Sequence, residues 1–344
     1  MKILILKRDK LGDLLLTTPL FRLLRDALPQ AEIHLLAPNY NAWVAKDNAA
    51  LDTHWVYGRV RTGKRVNVAA AVSQLKLFYD LKRQHFDVAV AAGGEHSPRA
   101  ISRLLHVGAP RNIAYADDRG HELSIRLTDP QTVPLWFVHE TRRLANLALP
   151  LGITVPQQLP HPTFTPPQNA RAFALNWLQA EGLKAGGFVV LGLGSRRRKR
   201  QPSAQQILRW AAWLKQQYQL NSVLLWTPGK IDDPLYPGDD DVAQPILDAK
   251  VRYIHAFCGE LINVIAIVFQ AATSVFPDSG LMHFAAASPG GVLGLFADTT
   301  KSPSPERWGP VGEWVDYIEA KTTIAEVDDA VVEQRLARLL DKRS

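Results

Sequence analysis

The chain has 344 residues, of which 47% are hydrophobic and 21% are charged, and its formal net charge is +7. This composition is ordinary for a globular protein, and a length of this order suggests two domains at about 100–200 residues each. A single cysteine, Cys258, excludes an internal disulfide framework and fits a reducing compartment.

Strands and helices are predicted to alternate in the first half of the chain. The apolar opening "KILIL" predicts a buried strand and is too short for the apolar region of a signal peptide. Beyond the strand the pattern predicts helices over residues 14–28, 71–85 and 141–153 and strands over 31–38 and 86–94, with a poorly patterned region at 40–70. Such alternation is typical of a parallel sheet covered by helices on both faces.

A proline-rich segment, residues 150–169, precedes a second half with the same alternation. Its six prolines and lack of periodicity predict a linker. The longest apolar stretch, residues 261–276, is too short and too polar to span a bilayer, so we expect a cytoplasmic protein. The second half predicts helices over 170–183, 203–218, 260–272, 280–288 and 327–342, and strands over 187–194, 222–229, 274–278 and 291–297.

Each half opens with an apolar strand that leads into a polar turn, "ILILKRDKLGD" and "VVLGLGSRRRK". This shared plan predicts an α/β protein with two Rossmann-like domains that face a central cleft. Open α/β sheets bind ligands beyond the carboxyl ends of their strands. We therefore expect functional side chains in the turns that follow the strands.

Gly12 and Asp13 end the first of these turns. Aspartate is favoured as a helix N-cap, and glycine permits a tight turn, so a cap is the plainest interpretation of Asp13. A carboxylate at the carboxyl end of a strand could equally accept a proton from a hydroxyl group. The local sequence leaves both roles open.

The second turn carries the basic run Arg196–Arg200. A solvated loop is one interpretation, and a nucleic-acid patch is another. Because the run follows a glycine-rich turn and is expected to open a helix, a diphosphate is its natural ligand. The run lacks the full GxGxxG pattern, so it gives little support to a dinucleotide cofactor.

Two further stretches contain possible ligand residues. "FPDSGLMHFAAA" places Asp278, Ser279 and Gly280 in a strand–turn–helix arrangement, and its His283 taken alone fits a core histidine better than a catalyst. "DDPLYPGDDD", residues 232–241, clusters carboxylates as a cation site would, but its spacing matches no defined metal loop and favours a solvated loop.

As an ordered set these stretches resemble glycosyltransferase family 9, the heptosyltransferase family of the lipopolysaccharide inner core. The opening segment with Gly12-Asp13 and Thr18-Pro19 resembles the family's first motif, and "HETRRLANLALPLGI" resembles its His-Glu segment. "GSRRRKRQPS" resembles its Gly…Lys-x-Trp-Pro loop, with Gln201 in place of the tryptophan. "FPDSGLMHFAAA" is similar to its Asp-Thr/Ser-Gly-x-Met-His motif, and residues 294–310 resemble the strand and Trp-Gly-Pro segment that follow.

The resemblance implies a GT-B fold with an acceptor-binding Rossmann-like domain at 1–160, a donor-binding one at 161–325 and a closing helix at 326–344. It implies an inverting reaction that needs no metal and no other cofactor, with Asp13 as general base. It places Gly12 and Thr18 on the acceptor side. On the donor side it places the residues Lys199, Arg200, Asp278, Ser279, Gly280, Met282 and His283. Glu260 is added to the donor side from its position near a turn.

The expected donor is a nucleotide sugar, by default ADP-heptose, and the expected acceptor is an anionic lipopolysaccharide core. The positive net charge favours peripheral contact with the inner leaflet of the cytoplasmic membrane, although no dedicated amphipathic membrane helix is evident. The alternatives are a non-catalytic sugar-nucleotide-binding protein and a basic nucleic-acid-binding α/β protein. The second lacks an aromatic-interleaved or groove-reading motif, so no nucleic-acid partner is expected.

Overall fold

The computed structural model describes residues 1–62, 65–116, 128–132, 138–195, 197–230, 232–233, 237–300 and 304–341. The chain divides into two compact units, Met1–Thr163 and Phe164–Ser344. The division lies inside the proline-rich segment at 150–169. The closing helix belongs to the second unit.

A parallel sheet forms the centre of the first unit. Its described strands are β1 (Lys2–Leu6), β2 (Glu32–Pro38), β3 (Thr53–Tyr57), β6 (Val88–Ala91), β7 (Arg111–Ala116) and β8 (Asp129–Thr132), and a small antiparallel pair comprises β4 (Arg61–Thr62) and β5 (Arg65–Val66). The described α-helices are α1 (Leu11–Leu15), α2 (Thr18–Ala27), α3 (Val68–Lys82), α4 (Pro98–Val107) and α5 (Glu140–Ala145). Short 3-10 helices occupy Ala42–Ala45 and Asn146–Leu151.

The second unit is built on the same plan. Its described strands are β9 (Phe188–Gly192), β10 (Asn221–Leu225), β11 (Ile254–Phe257), β12 (Thr273–Pro277), β13 (Val292–Ala297) and β14 (Val315–Ala320). The described α-helices are α6 (Gln168–Ala180), α7 (Ala204–Tyr218), α8 (Asp240–Asp248), α9 (Leu261–Val268), α10 (Gly280–Ala286), α11 (Pro305–Trp308) and α12 (Asp329–Asp341). Short 3-10 helices occupy Arg198–Arg200 and Ile324–Glu326.

The two main sheets share one strand order. The first runs β3-β2-β1-β6-β7-β8 and the second β11-β10-β9-β12-β13-β14, with every neighbouring pair parallel within the described residues. Numbered within its own sheet, each order is 3-2-1-4-5-6, the arrangement of a doubly wound Rossmann fold. The predicted α/β class with two Rossmann-like units is therefore confirmed.

Apolar residues on both faces explain why the central strands are wholly buried. In β9, Val189 and Leu191 point into a core shared with α7 and α12, whereas Phe188 and Val190 point into a core shared with α6 and α9. A strand with cores on both faces reads as a continuous apolar run, which is the pattern that the sequence shows. Within the described residues, no helix combines the length and the apolar content needed to cross a bilayer.

The structure departs from the predicted elements at several places. The helix expected over 14–28 is two helices, because the chain turns at Thr17, whose Oγ1 donates to the Asp13 carbonyl at 2.8 Å, and Pro19 follows in the first turn of α2. The poorly patterned region holds β3, whose residues are mostly half-buried and carry no apolar run. The basic run opens a short 3-10 helix, and α7 begins only after its cap, Ser203.

Gly192→Ala is expected to destabilise the second unit. A Cβ at Gly192 would lie 2.1 Å from Cε1 of Phe276, a fully buried ring on the neighbouring strand β12. Overpacking of this kind costs about 1–3 kcal/mol of unfolding free energy, measurable by urea denaturation. Gly194→Ala is the control, since no atom lies within 3.9 Å of its Cβ position. Equal stabilities of the two variants would contradict the packing described.

Candidate functional site

Each sheet has a switch point, where the order of strand addition reverses. It lies between β1 and β6 in the first unit and between β9 and β12 in the second. At such a point the loops after the two central strands lead to opposite faces, and ligands bind beyond the strand ends. The predicted residues Asp13, Lys199 and Asp278 all lie in or just beyond these loops.

Lys7 joins the two strand ends at the first switch point. Its side chain is 1% exposed, and Nζ donates to the carbonyl of Ala92, just beyond β6, at 2.8 Å. Nζ also lies 3.0 Å from the carboxylate of Asp9. Burial opposes the charge of this ammonium group, but the nearby carboxylates, Asp9 first among them, outweigh burial and raise the pKa of Lys7. The switch point therefore holds a fixed positive charge.

Asp13 is the third residue of α1 and not its N-cap. Its Oδ2 accepts a hydrogen bond from the backbone N–H of Lys10, the residue before the helix, at 2.8 Å. Burial raises the pKa of Asp13, the Lys7 ammonium opposes this shift, and the Asp9 carboxylate adds to it. A half-buried carboxylate with a raised pKa is a better proton acceptor than a solvated one.

Helix α5 contributes a further acid beside the loop after β6. Glu140 is buried, and a Cβ built on Gly94 would lie 2.3 Å from its Oε1, so any larger residue at position 94 would displace this carboxylate. Arg143, one turn further along, donates from Nη1 to the Gly94 carbonyl at 3.1 Å. The carboxylate of Glu140 also contributes to the raised pKa of Lys7. The His-Glu segment thus holds the loop after β6 in place.

The two residues predicted on the acceptor side beside Asp13 lie in the interior. Gly12 is buried in α1, where its carbonyl accepts a hydrogen bond from Leu16 at 2.9 Å. Thr18 is 2% exposed. Its hydroxyl donates to the carbonyl of Leu15 at 2.8 Å and accepts from the N–H of Thr163 at 2.9 Å. The hydroxyl of Thr18 is thus engaged inside the protein, and the acceptor-side role of this residue stays a prediction.

In the second unit, two cations of the loop after β9 pair with acids that follow other strands of the same sheet. Lys199 has an exposed side chain whose Nζ lies 2.6 Å from Oδ2 of Asp298, just beyond β13. Arg200 is buried, and its Nη1 lies 2.5 Å from Oδ2 of Asp278, just beyond β12. Burial lowers the pKa of Arg200, and Asp278 opposes this shift. Of the other basic residues in the run, Arg196 lies outside the described residues.

Gln201, which replaces the family's tryptophan, has a buried polar partner. Its Nε2 donates to Asp239 and to the carbonyl of Leu193. Asp239 is 2% exposed and also accepts from the N–H of Thr227 at 2.9 Å. Burial raises its pKa, and the N–H groups around it oppose the shift. The prediction of a solvated loop over 232–241 is therefore wrong at Asp239, while residues 234–236 lie outside the described part.

The remaining donor-side predictions fall into different environments. Ser279 precedes α10, and Gly280 begins it. Met282 is fully buried, and a Cβ at Gly294 would lie 2.9 Å from its Sδ. Met282 thus packs in the core of the second unit, and its donor contact stays a prediction. His283 is buried beside it, at 6% exposure.

Glu260 stands apart from Asp278. It is exposed and directly precedes α9, after strand β11. Three strand spacings separate β11 from β12, about 14 Å at the usual interval between neighbouring strands. Glu260 and Asp278 therefore belong to different parts of the same sheet edge. Within the described residues no group of three or more His, Cys, Asp or Glu side chains could hold a metal ion.

These features define a class of α/β protein with two Rossmann-like units and ionisable side chains at each switch point. The model of glycosyltransferase family 9 (heptosyltransferase) matches residues 74–329, which is more than half of the chain. The chain belongs to this family and is a glycosyltransferase. The matched range includes Lys199 and Asp278 and begins beyond Asp13.

Solved structures resemble the chain over nearly its whole length. A glycosyl transferase family 9 protein from Veillonella parvula DSM 2008 has a TM-score of 0.83 at 16% identity, covering 99% of this chain and 97% of that one. Escherichia coli ADP-heptose lps heptosyltransferase II has a TM-score of 0.76 at 19% identity, covering 100% and 99%. E. coli heptosyltransferase WaaC with ADP has a TM-score of 0.74 at 17% identity, covering 98% and 100%. No curated protein matches the chain. The structural matches confirm the predicted GT-B fold.

Sequence reasoning missed Lys7, Glu140 and Asp239. The signal for Lys7 was its position directly after the apolar strand "KILIL". A lysine at such a position is buried only when a carboxylate or another acceptor is paired with it. Glu140 lay in the recognised His-Glu segment without an assigned role. Nothing in the spacing of the three aspartates at 239–241 distinguishes Asp239 from the other two.

Asp9→Asn and Lys7→Met are expected to move the pKa of Asp13 in opposite directions. Loss of the Asp9 carboxylate lowers it, and loss of the Lys7 ammonium raises it. The measurement is the ¹³Cγ chemical shift of Asp13 against pH, with Asp26→Asn, an exposed change on α2, as control. Since Asp9 is exposed, its variant should fold normally. A pKa of Asp13 that is the same in Asp9→Asn and in the wild type would contradict this electrostatic account.

Proposed function

We propose that the chain is an inverting, metal-independent glycosyltransferase that moves a heptose from ADP-heptose to a lipopolysaccharide core acceptor, with Asp13 as general base. The unit that contains residues 1–160 binds the acceptor, and residues 161–325 bind the donor. The observation that carries the proposal is the half-buried Asp13 carboxylate, with its raised pKa, at the switch point of a family 9 glycosyltransferase.

Asp13 accepts the proton of the attacking hydroxyl. The acceptor oxygen forms a bond to the anomeric carbon, the bond from that carbon to the diphosphate oxygen breaks, and the diphosphate leaves with the electron pair. The hydroxyl becomes acidic as this bond forms, so a nearby carboxylate can take its proton late in the step. Lys7 then stands beside the newly neutral Asp13 as a fixed charge, paired to Asp9 throughout.

Lys199 and Arg200 are suited to different parts of the departing diphosphate. Lys199 is exposed and its ammonium can turn from Asp298 to a phosphate oxygen, whereas Arg200 is buried and held by Asp278. Fixed positive groups stabilise the negative charge that develops on a leaving group. Asp278, anchored by Arg200, accepts hydrogen bonds from the donor sugar, while Ser279, Gly280 and His283 surround it and Glu260 holds the ribose.

The choice of ADP-heptose rests on the resemblance and on similar proteins. E. coli WaaC was solved with ADP and with ADP-2-deoxy-2-fluoro heptose, and a second similar structure is an ADP-heptose lps heptosyltransferase. An anionic lipopolysaccharide core acceptor fits a chain whose net charge is +7. The site of action would be the cytoplasmic face of the inner membrane, where such an acceptor is anchored.

Helix α3 supports contact with that membrane. Val68, Val72, Leu75 and Tyr79 recur at helical spacing and are 60–74% exposed. The other side of the helix packs into the core through Leu81, with Leu77 and Phe78 packed against the same cluster. Exposed Lys76, Lys82 and Arg83 flank the apolar stripe. The combination of apolar and basic side chains fits an anionic bilayer surface.

Asp13→Asn should lower turnover by about 10²–10⁴-fold, the usual contribution of a general base. The isosteric amide cannot accept the proton, but it leaves the second unit and its donor affinity unchanged. Initial rates of sugar transfer and calorimetric binding of ADP give the two readouts. Asp47→Asn, an exposed change in the same unit, serves as control. Turnover at the wild-type level in Asp13→Asn would remove Asp13 from the mechanism.

Leu75→Asp should weaken binding to vesicles that contain anionic phospholipid by about tenfold or more, since burial of a leucine contributes about 1.5–3 kcal/mol. Leu75 is exposed, so the change should leave the fold intact. The matched control is Leu175→Asp, an exposed leucine on α6 of the second unit. Sedimentation with vesicles measures the effect. Equal binding by the two variants and the wild type would rule out α3 as the contact surface.

A further inference from the structure

A cavity of about 400 Å³ lies in the first unit beside the first turn of α4. The described residues that line it are Arg8, Pro98, Arg99, Ser102 and Arg103. Three of the five are arginines, and none is acidic. A volume of this order is at the lower end of the range for small-molecule binding pockets.

The arginines come from two different elements. Arg8 lies in the loop between β1 and α1, next to Lys7, and five residues before Asp13. Arg99 and Arg103 are four residues apart on α4 and therefore project from the same side of that helix. The cavity consequently opens beside the loop that leads into α1, the helix of Asp13.

Aromatic packing helps to hold the arginines together. The Cζ atom of Arg103 lies 4.6 Å from the centre of the ring of Tyr57, the last residue of β3. Burial raises the pKa of Tyr57, and both Arg103 and Arg8 act against that shift, so all three side chains share one small region. The carbonyl of Arg8 accepts a hydrogen bond from the hydroxyl of Tyr40 at 2.6 Å, which fixes the backbone of the loop.

Among the described residues, no carboxylate is paired with the arginines that line the cavity, although other arginines of the same unit, such as Arg25 and Arg111, form ion pairs. The Nε atom of Arg8 is buried and has no hydrogen-bond partner there. Like charges gathered in one cavity repel each other, and an unpaired buried donor costs about 1–3 kcal/mol. Both costs are relieved when an anion binds.

We propose that the cavity lined by Arg8, Arg99 and Arg103 binds a phosphate or carboxylate group of the acceptor. Guanidinium groups match the planar or tetrahedral oxygens of such anions and donate paired hydrogen bonds to them. An anionic group held here places the rest of the acceptor at the loop between β1 and α1, which leads into the helix that contains Asp13. Only the identification of the anion with the acceptor rests on the proposed function.

The test is calorimetric binding of a deacylated, phosphorylated inner-core oligosaccharide to the full chain without donor. Arg99→Ala and Arg103→Ala are each expected to weaken binding by about 10–100-fold, as the loss of a charge-assisted hydrogen bond does. Arg22→Ala, an exposed arginine on α2 that pairs with Asp26, removes the same charge elsewhere and should leave the affinity within about twofold. Thermal unfolding of each variant verifies folding, and exposed Arg99 carries the test if Arg103→Ala fails to fold.

Each outcome decides between the two proposals. Wild-type affinity in Arg99→Ala and a folded Arg103→Ala would overturn the anion site, even where sugar transfer is observed. Weakened binding in the variants together with no sugar transfer by the wild type would support the anion site and contradict the proposed function. No binding of the oligosaccharide by the wild type, or an arginine-dependent interaction only with anionic vesicles that lack the acceptor, would overturn the assignment to the acceptor.

Discussion

The common direction of the strands is the constraint on which the rest of the structure depends. In each unit the strands all run in one direction, so the loops that follow the strands gather at the same edge of the sheet, beyond the carboxyl ends of the strands. The order 3-2-1-4-5-6 adds a reversal at the first strand, which opens a gap between the loops after the first and fourth strands. The candidate site residues of both units, Asp13 and Arg200 among them, lie in those loops or just beyond them.

The two units share this sheet topology but place different charged groups beyond the strand ends. In the first, a buried lysine spans the strand ends and is surrounded by carboxylates, so that proton affinity at Asp13 is set by opposing fixed charges. In the second, Lys199 and Arg200, which follow β9, are paired with acids that follow β13 and β12. An acid that accepts a proton and cations that receive a departing anion are the two requirements of sugar transfer from a nucleotide. The arginine-lined cavity beside α4 extends the same division of charge to the acceptor.

The sequence was sufficient for the architecture because the buried strands carry unbroken apolar runs, as in β1 and β9, and the longer helices carry clear periodicity, as in α7. It missed β3 and β11, whose residues are largely half-buried and which lie at the sheet edges. It also gave no prediction for α4, β7, α8 and β14. It also placed Asp13 at the start of a long helix, whereas Thr17 and Pro19 divide that segment in two. A helix break of this kind depends on a single hydrogen bond, which the hydrophobic periodicity of the sequence does not reveal.

For the site, the sequence indicated which residues carry charge but not how burial and distance distribute their roles. Thr18 and Met282 matched the family pattern, yet their side chains are engaged in the interior. Lys7 is separated from Ala92 by 85 residues, so its position across the switch point depends on the pairing of β1 with β6. The same holds for Asp298, which meets Lys199 only because β13 lies in the same sheet as β9.

The central claim is that this family 9 glycosyltransferase takes its sugar from an adenosine diphosphate donor held by Lys199. The most direct measurement is calorimetric titration of ADP, GDP, UDP and ADP-heptose, in the presence of a chelator, into the wild type and Lys199→Ala. The account predicts selective, metal-independent binding of the two adenine compounds and weaker binding of both by the variant. Binding of none of the four nucleotides, or equal affinity of the wild type and Lys199→Ala for ADP, would contradict it.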